Sequence, residues 1–208
     1  MTSAPSSVPA TATAVDDSTA DKAPTQPPFA FDPSVASFNV PLDAYLETGT
    51  ALIGVPLKGI CVGAFVFDTA GRLLLLQRAG EDTYPRRWEV PGGTIKANDE
   101  SLLTGLAREL REETGLLARC VTGVVGKGYT FLTKRPACIC KYSFVVDVEN
   151  VGTCDVKLNP KEHEAFLWVT EDEAKAKNCG EIRLVYTSTS QENAILESFE
   201  MLKAEAEV

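Results

Sequence analysis

The sequence predicts one α/β domain over residues 39–208, preceded by a disordered tail over residues 1–38. Short apolar stretches typical of β-strands are interspersed with segments of helical periodicity, which is the pattern of an α/β fold. The strongest helical segment is 100–114. The first 38 residues are mostly Ser, Thr, Ala, Pro and Asp and have no periodic apolar pattern. Such a segment cannot bury enough surface to offset its chain entropy, so we expect it to be disordered.

The predicted elements begin with a short helix at 41–48, followed by two strands at 59–68 and 72–78. The three residues between these strands include a glycine, which predicts a hairpin. The other predicted elements, in chain order, are a helix at 100–114 ended by Gly115, strands at 116–126 and 137–148 joined by a loop at 127–136, a strand at 164–169, a helix at 170–176 capped by Thr170, and a helix at 191–206.

Charge and composition exclude several classes of function. The N-terminal segment has no Arg and carries several acids, unlike a secretory or mitochondrial signal. The chain has no run of about 18 apolar residues that could span a membrane. We therefore expect a soluble, cytoplasmic protein. A net charge of −9 disfavours nucleic acid as a partner, but it is compatible with a small phosphate-bearing substrate whose charge is met locally.

The cysteines and the histidine indicate neither zinc nor a disulfide framework. The six cysteines form no CxxC pair, and the chain has a single histidine. A chain of this length without a signal peptide is not a disulfide scaffold. We expect reduced thiols.

The segment RELREETG (108–115) gathers three acids at the end of the strongest helix. At 100° per residue, Glu109, Glu112 and Glu113 fall within an arc of about 100°. A solvated face is the common explanation for such a patch. However, the like charges at i,i+4 and the position near the helix C-terminus both oppose helix stability. Glu113 also lies beside Leu110 on the apolar stripe, so these acids are better explained by a hard divalent cation such as Mg²⁺.

Residues 91–116, PGGTIKANDESLLTGLARELREETGL, closely resemble the box of the Nudix hydrolase family. Glu100 is followed by seven residues and then by REL-R-EE-T-GL, which matches the family pattern at every fixed position. The resemblance implies a Nudix-type α/β/α sandwich with a mixed β-sheet. It also implies hydrolysis of the diphosphate linkage in a nucleotide or nucleoside diphosphate derivative, with Mg²⁺, or alternatively Mn²⁺, as cofactor.

The same resemblance assigns roles to individual residues. Arg108, Glu109 and Glu112 take catalytic roles, with Arg108 holding Glu109. Whether Glu109 is a metal ligand or the base that activates water stays open. The full set implied by the family is Glu109, Glu112, Glu113 and the Gly92 carbonyl for the metal, Arg78 for a substrate phosphate, and Glu100 as a supporting carboxylate.

The chain departs from the Nudix pattern before the helix. Six residues separate Gly93 from Glu100 where the pattern has five, and Lys96 stands where a glutamate is often found. An insertion in a loop is tolerated at little cost. We therefore expect substrate contacts in this loop, more than the metal ligands, to be particular to this chain.

Several alternatives remain open at this point. The substrate could be a non-nucleotide diphosphate of isoprenyl or inositol type, or the chain could be a non-catalytic Nudix-fold module that binds a nucleotide or a protein. Many relatives dimerise, so a homodimer is also open.

Outside the box, Glu162, His163 and Glu164 precede a predicted strand. In similar proteins this segment can supply an additional base or metal ligand, and packing of the start of the strand is the alternative. For His163 taken by itself the structural interpretation is favoured, and for Arg86 and Arg87 a solvated turn is favoured over phosphate binding. Tyr129 and Phe131 could stack on a base or pack in the core.

Overall fold

Two four-stranded sheets organise the computed structural model, which describes residues 10–11, 26–81, 83–133, 137–149 and 155–206. The elements in chain order are β1 (Ala10–Thr11), β2 (Ala30–Phe31), a 3₁₀ helix (Pro33–Phe38), α1 (Leu42–Ile53), β3 (Leu57–Phe65), β4 (Leu73–Arg78), β5 (Trp88–Glu89), α2 (Leu102–Thr114), β6 (Ala118–Leu132), β7 (Cys138–Val148), β8 (His163–Val169), α3 (Glu171–Ala176), β9 (Asn178–Cys179), β10 (Ile182–Arg183) and α4 (Thr189–Ala206).

The two sheets differ in strand direction. One has the order β1–β8–β4–β5 and pairs its strands antiparallel throughout. The other has the order β2–β6–β7–β3 and is mixed, because β3 runs parallel to β7 and β2 runs parallel to β6, while β6 and β7 are antiparallel. The strands β9 and β10 form a separate two-stranded hairpin.

The strand β4 shows how helices cover both sides of the sheets. Leu74 and Leu76 belong to the apolar cluster that contains the leucines of α2, whereas Leu73 and Leu75 belong to a second cluster with Ile195 of α4. Successive side chains of a strand point to opposite faces, so β4 lies between two helical layers. The predicted α/β/α sandwich with a mixed sheet is confirmed.

The helix α2, which carries the acidic segment, is set by its caps and its apolar stripe. It begins after Ser101, whose hydroxyl accepts a hydrogen bond from the Thr104 backbone N–H at 3.1 Å in a reciprocal capping box. It ends at Gly115, which adopts the left-handed conformation with φ 71°. Leu106 and Leu110 are fully buried. The predicted helix is therefore present, beginning two residues later than expected.

The other helices follow the sequence prediction in place but not always in length. The predicted helix at 41–48 continues to Ile53, and α3 is capped by Thr170 as expected. The helix α4 starts two residues before the predicted 191. None of the helices in the part of the chain that the structure describes is long and apolar enough to cross a bilayer.

The predicted boundary of the tail at residue 38 lies too late. Residues 26–38 pack onto the domain: Gln26 brackets the backbone of Ala118 with two hydrogen bonds of 2.9 and 3.2 Å, and β2 pairs with β6. Val35 and Phe38 are buried in the core. The apolar residues of this segment show no periodicity in the sequence, yet these two side chains pack into the core and hold the segment on the domain. Residues 1–9 and 12–25 lie outside the described residues, so their disorder stays a prediction.

The predicted hairpin forms a turn, but its strands separate. The Asp68 N–H donates to the Arg72 carbonyl at 2.9 Å, and Gly71 has φ 71°. Beyond the turn, β3 pairs with β7 in one sheet and β4 with β8 in the other. The sequence shows two adjacent apolar strands but not that the chain changes sheets between them.

The predicted loop at 127–136 is strand β6 as far as Leu132; residues 134–136 lie outside the described residues. Gly126 and Gly128, with φ values of 65° and 74°, sit where the register of β6 against β7 shifts. Glycine inside a strand often marks a β-bulge. The bulge lets β6 continue to the rim of the cavity described below.

Four of the described cysteines agree with the expectation of reduced thiols. Cys61, Cys120, Cys138 and Cys140 are free thiols. Cys154 lies outside the described residues.

Candidate active site

A cavity of about 710 Å³ opens between α2, the loop after β5, and the strands β3, β4, β6 and β7. Its wall joins carboxylates of α2 to the backbone of the PGG loop and to the exposed end of β6. The sequence-predicted residues that line it are Arg78, Gly92, Tyr129, Phe131, Glu109, Glu113, Glu162 and His163. Five separate segments of the chain therefore meet at one cavity.

The PGG loop lies against β3 and has no room for side chains. The Ala64 N–H donates to the Pro91 carbonyl at 2.7 Å, and the Val62 N–H donates to the Gly93 carbonyl at 2.9 Å. Gly92 has φ 154°, and a Cβ on it would lie 2.1 Å from the Val62 carbonyl oxygen. Only glycine permits this approach of loop to strand. The loop thereby places the Gly92 backbone at the cavity wall.

Glu113 reaches the PGG loop from α2. It is 5% exposed, and its Oε2 accepts a hydrogen bond from the Gly92 N–H at 2.7 Å. Burial raises the pKa of Glu113 well above its ordinary value; the Gly92 N–H opposes this, and the charges of Glu89, Glu109 and Glu162 raise the pKa further. A buried carboxylate among other carboxylates is the position where a bound cation has most to neutralise.

Glu109 lies one helical turn earlier and is held by an arginine. Its Oε1 accepts a hydrogen bond from Nη1 of Arg108 at 2.7 Å. Burial raises the pKa of Glu109, and the guanidinium of Arg108 offsets only part of that effect. The carboxylate packs against Gly93, where a Cβ would lie 2.6 Å from it. The predicted contact between Arg108 and Glu109 is thus present, in a pocket that a glycine keeps open.

Glu112 differs from the other two acids because it faces solvent. Its Oε2 lies 3.1 Å from Nη1 of Arg108 and 3.4 Å from Nζ of Lys96. Lys96, which stands where the family often has a glutamate, therefore places a positive charge beside a predicted metal ligand. A cation that binds this oxygen of Glu112 would compete with the lysine for it.

Arg78 and His163 come together through the pairing of β4 with β8, in which they are partners. The Nη1 of Arg78 forms an ion pair with Oε1 of Glu89, and its Nε donates to the Thr83 carbonyl at 2.6 Å. The same Glu89 oxygen lies 3.6 Å from Nε2 of His163. Burial would raise the pKa of Glu89, but His163, Lys141 and Arg78 together bring the pKa below its ordinary value. Glu89 is thus an ionised carboxylate that holds the arginine at the cavity wall.

A further group of ligating atoms lies beside Glu113. Glu113, Glu162 and His163 each offer one atom that could bind a metal, and these atoms lie within 4.8 Å of one another. Among the described residues, no other group of three or more His, Cys, Asp or Glu side chains brings its ligating atoms this close together. The group contains no cysteine.

The comparison with protein families decides the membership of this chain. The NUDIX domain profile matches residues 57–187, more than half of the 208 residues. The chain belongs to the Nudix family. The predicted family and the predicted fold are therefore both confirmed.

Relatives of this Nudix chain support the predicted class of enzyme, a hydrolase of phosphoanhydride bonds. A MutT-like protein of Streptomyces ambofaciens is 34% identical over 138 residues, which are 64% of this chain and 77% of that protein. The CTP pyrophosphohydrolase of Escherichia coli K12 is 28% identical over 148 residues, 71% of this chain and 96% of that protein. The crystal structure of a MutT protein from Methanosarcina mazei Go1 matches with a TM-score of 0.53 at 27% identity, covering 70% of this chain and 94% of that chain.

The Nudix box of this chain has an unexpected carboxylate beside its arginine. Arg108 makes a bidentate ion pair with Asp99, with Nε 2.7 Å from Oδ1 and Nη2 2.8 Å from Oδ2. Burial would raise the pKa of Asp99, but its contacts with Arg108 and the Lys96 backbone lower it. Glu100, the predicted supporting carboxylate, is exposed and borders a second cavity formed with residues 26–29.

Two variants test whether Asp99 or Glu100 is the carboxylate that supports the site. We expect Asp99→Asn to lower turnover roughly tenfold, the lower end of what loss of an orienting group costs, because Arg108 would lose a charged partner and hold Glu109 less firmly. Glu100→Gln should cost clearly less, since its carboxylate is solvated. Steady-state kinetics with a substrate from the panel described below measures both. A larger loss for Glu100→Gln would return the supporting role to Glu100.

Sequence reasoning missed Glu89 and Lys141 as well as Asp99. Glu89 lies between the buried residues Trp88 and Val90, and a charged residue in such a stretch needs a partner. Lys141 is the single charged residue of the predicted strand before Asp147, and it lines the cavity. For both Glu89 and Lys141, the signal available in the sequence was a charged residue within an apolar, strand-like stretch.

The remaining sequence candidates lie outside the cavity wall. Arg87 donates from Nη1 to the Tyr186 carbonyl at 2.9 Å, and the exposed Arg86 lies 3.7 Å from Glu164. These contacts favour the structural interpretation for both arginines and for Glu164.

Proposed function

We propose that this chain is a divalent-metal-dependent hydrolase that cleaves the diphosphate linkage of a nucleotide or nucleoside diphosphate derivative. The observation that carries the proposal is the pair of buried carboxylates, Glu109 and Glu113, at the wall of a cavity large enough for such a substrate. Burial raises both pKa values, and a bound cation would favour their ionised forms. Oxygen ligands of this kind fit Mg²⁺, with Mn²⁺ as the alternative.

The chain's own residues divide the work of the site. Glu112 and Glu113, with the Gly92 carbonyl, are the proposed ligands, and Glu109 is a further ligand or the base for water. Arg108 keeps the Glu109 carboxylate beside the PGG loop. A cation bound there supplies polarisation of the phosphate oxygens and stabilises the leaving phosphate. The ionised Glu89 holds Arg78 at the wall, where its guanidinium can contact a substrate phosphate.

The outer part of the cavity supports a nucleotide over the other diphosphates. The rings of Tyr129 and Phe131 lie 6.3 Å apart at the end of β6 and offer aromatic faces to a planar base. Lys141 and Lys161 add positive charges to the same cavity. A wall that combines aromatic rings with a few positive charges fits a base and its attached phosphates. We further propose that the substrate is a small molecule and that the chain acts in the cytoplasm.

A panel of nucleoside triphosphates, dinucleoside polyphosphates and nucleotide sugars, with isoprenyl and inositol diphosphates as alternatives, tests this proposal. We expect release of phosphate or pyrophosphate from at least one nucleotide in Mg²⁺ or Mn²⁺ and only background release in excess chelator. Phosphorus NMR of the products in ¹⁸O-labelled water identifies the phosphorus that water attacks.

The alternatives give different results in the same panel. Hydrolysis confined to the isoprenyl or inositol compounds would replace the nucleotide with that class. Nucleotide binding without hydrolysis under any metal would indicate the non-catalytic module instead.

A further inference from the structure

We propose that His163 is a nitrogen ligand in a metal site formed with Glu113 and Glu162, and that this site prefers a transition-metal ion such as Mn²⁺ or Co²⁺ to Mg²⁺. The inference rests on the proposed function only in that both use Glu113. It adds a ligand type and a metal preference that an all-carboxylate site does not have.

The first support is geometric. The three ligating atoms lie within 4.8 Å of one another. Two atoms that share one ion at about 2.1 Å lie between about 3.0 Å apart, when they are at right angles, and about 4.2 Å apart, when they are opposite, so a side-chain movement on the order of 1 Å closes the site. Glu162 is exposed and can make that movement, whereas Glu113 and His163 are buried.

The second support is the state of the imidazole. His163 is 2% exposed, and neither ring nitrogen has a hydrogen-bond partner. The nearby Oε1 of Glu89, at 3.6 Å from Nε2, lies beyond hydrogen-bond distance. Buried polar groups are normally satisfied, and this ring borders the cavity beside two carboxylates. A cation is the partner that would satisfy the ring and the carboxylates together.

The surroundings of the ring favour a ligand over a structural histidine. Glu89, Glu109 and Glu162 lie close enough to Glu113 for their charges to act on it at this end of the cavity. Glu89 can hold one tautomer of His163 with a slight closing of the 3.6 Å gap, as carboxylates do for metal-bound histidines. A nitrogen donor raises affinity along the series from Mn²⁺ to Co²⁺ more than for Mg²⁺, which prefers oxygen alone.

The chain offers an unusually direct test because it contains a single histidine. Untagged protein is stripped with chelator, loaded with Mn²⁺ and studied by pulsed EPR, once unlabelled and once with ¹⁵N-histidine. We expect a nitrogen coupling of directly bound imidazole that changes from the ¹⁴N to the ¹⁵N pattern with the label. A histidine signal of that kind can only come from His163.

Variants give the affinity side of the test. His163→Gln should abolish the coupling and weaken Mn²⁺ binding by at least about tenfold, with a smaller change for Mg²⁺ in competition titrations. The neighbouring Glu164→Gln, whose side chain pairs with Arg86 instead, should keep the coupling. Circular dichroism shows whether each variant is folded, and the labelled wild type needs no variant at all.

The outcomes separate this inference from the proposed function. Bound Mn²⁺ without histidine coupling, together with hydrolysis in the nucleotide panel, would overturn the His163 inference and leave the hydrolase intact. Histidine coupling in a protein that hydrolyses nothing would support the metal site and overturn the proposed function.

Discussion

Replacing Glu113 by Gln is expected to lower turnover roughly 100- to 1000-fold, the loss typical of removing one electrostatic stabiliser from an active site. Gln keeps nearly the same shape, and its carbonyl oxygen can still accept the 2.7 Å hydrogen bond from the Gly92 N–H. The change therefore removes the negative charge and leaves the contact between α2 and the PGG loop. Steady-state kinetics in Mg²⁺ and in Mn²⁺ measures the loss.

The same variant should be more stable than the wild type when chelator is present. Burial raises the pKa of Glu113 in the folded chain. Such a raised pKa contributes stability that is fully present below the unfolded value near 4.5 and is lost as pH rises through the folded value. Gln has no such loss, so the difference in Tm should grow as the pH rises above about 4.5, by about 2–4 °C for each kcal/mol.

Divalent cation should reverse this order of stability. A ligand that binds only the folded state raises the free energy of unfolding in proportion to the logarithm of the ligand concentration over Kd. We expect the wild type to bind the cation more tightly than Glu113→Gln does, so the Tm of the wild type should rise more. Glu164→Gln on β8 is the matched control, because it removes a carboxylate outside the cavity wall and should change neither rate nor metal-induced shift in Tm. If Glu113→Gln keeps full turnover, or loses Tm in chelator, Glu113 is a structural residue and not a metal ligand.

The acidic segment shows what the sequence can predict. The angular position of Glu113 beside Leu110 predicted partial burial, and Glu113 is 5% exposed, while Leu110 is fully buried. Helical geometry alone fixes such relations, because residues three positions apart share a face. The end of α2 at Gly115 was predictable for the same reason, since a left-handed cap is a local property.

The carboxylate beside Arg108 shows where sequence reasoning stops. Spacing along the chain selected Glu100, but the turn before α2 presents Asp99 to the guanidinium. Space for Asp99 depends on Gly105, where a Cβ would lie 2.7 Å from Oδ2 of Asp99. Which side chain of this loop reaches Arg108 is decided by the folded turn and not by spacing alone.

The neighbours of His163 were beyond prediction for a different reason. Its neighbours are set by the register of β8 against β4, which places it opposite Arg78 and close to Glu89. Register between strands far apart in sequence depends on the whole sheet. The same limit hid the separation of β3 and β4 into different sheets.

Gly93→Ala is the second variant with a large expected effect, because it separates the geometry of the site from the stability of the fold. A Cβ on Gly93 would lie 2.6 Å from the Glu109 carboxylate, so the carboxylate must move. The atom displaced is the end of a side chain, and the backbone contacts of the loop with β3 can remain. Since a misplacement of about 1 Å can cost roughly 100-fold, we expect a loss of that order in kcat with a change in Tm of only about 2 °C.

Two further glycines give this prediction its controls. A Cβ on Gly123, a buried strand glycine, would lie 3.4 Å from Met201, an ordinary contact, so Gly123→Ala should leave kcat unchanged. A Cβ on Gly92 would meet the Val62 carbonyl oxygen at 2.1 Å, where neither backbone segment can yield, so Gly92→Ala should lower both Tm and kcat. Wild-type turnover in Gly93→Ala would mean that the position of the Glu109 carboxylate does not limit the reaction. A loss of kcat without a loss of Tm, by contrast, would identify Gly93 as the residue that keeps the space Glu109 needs in order to act.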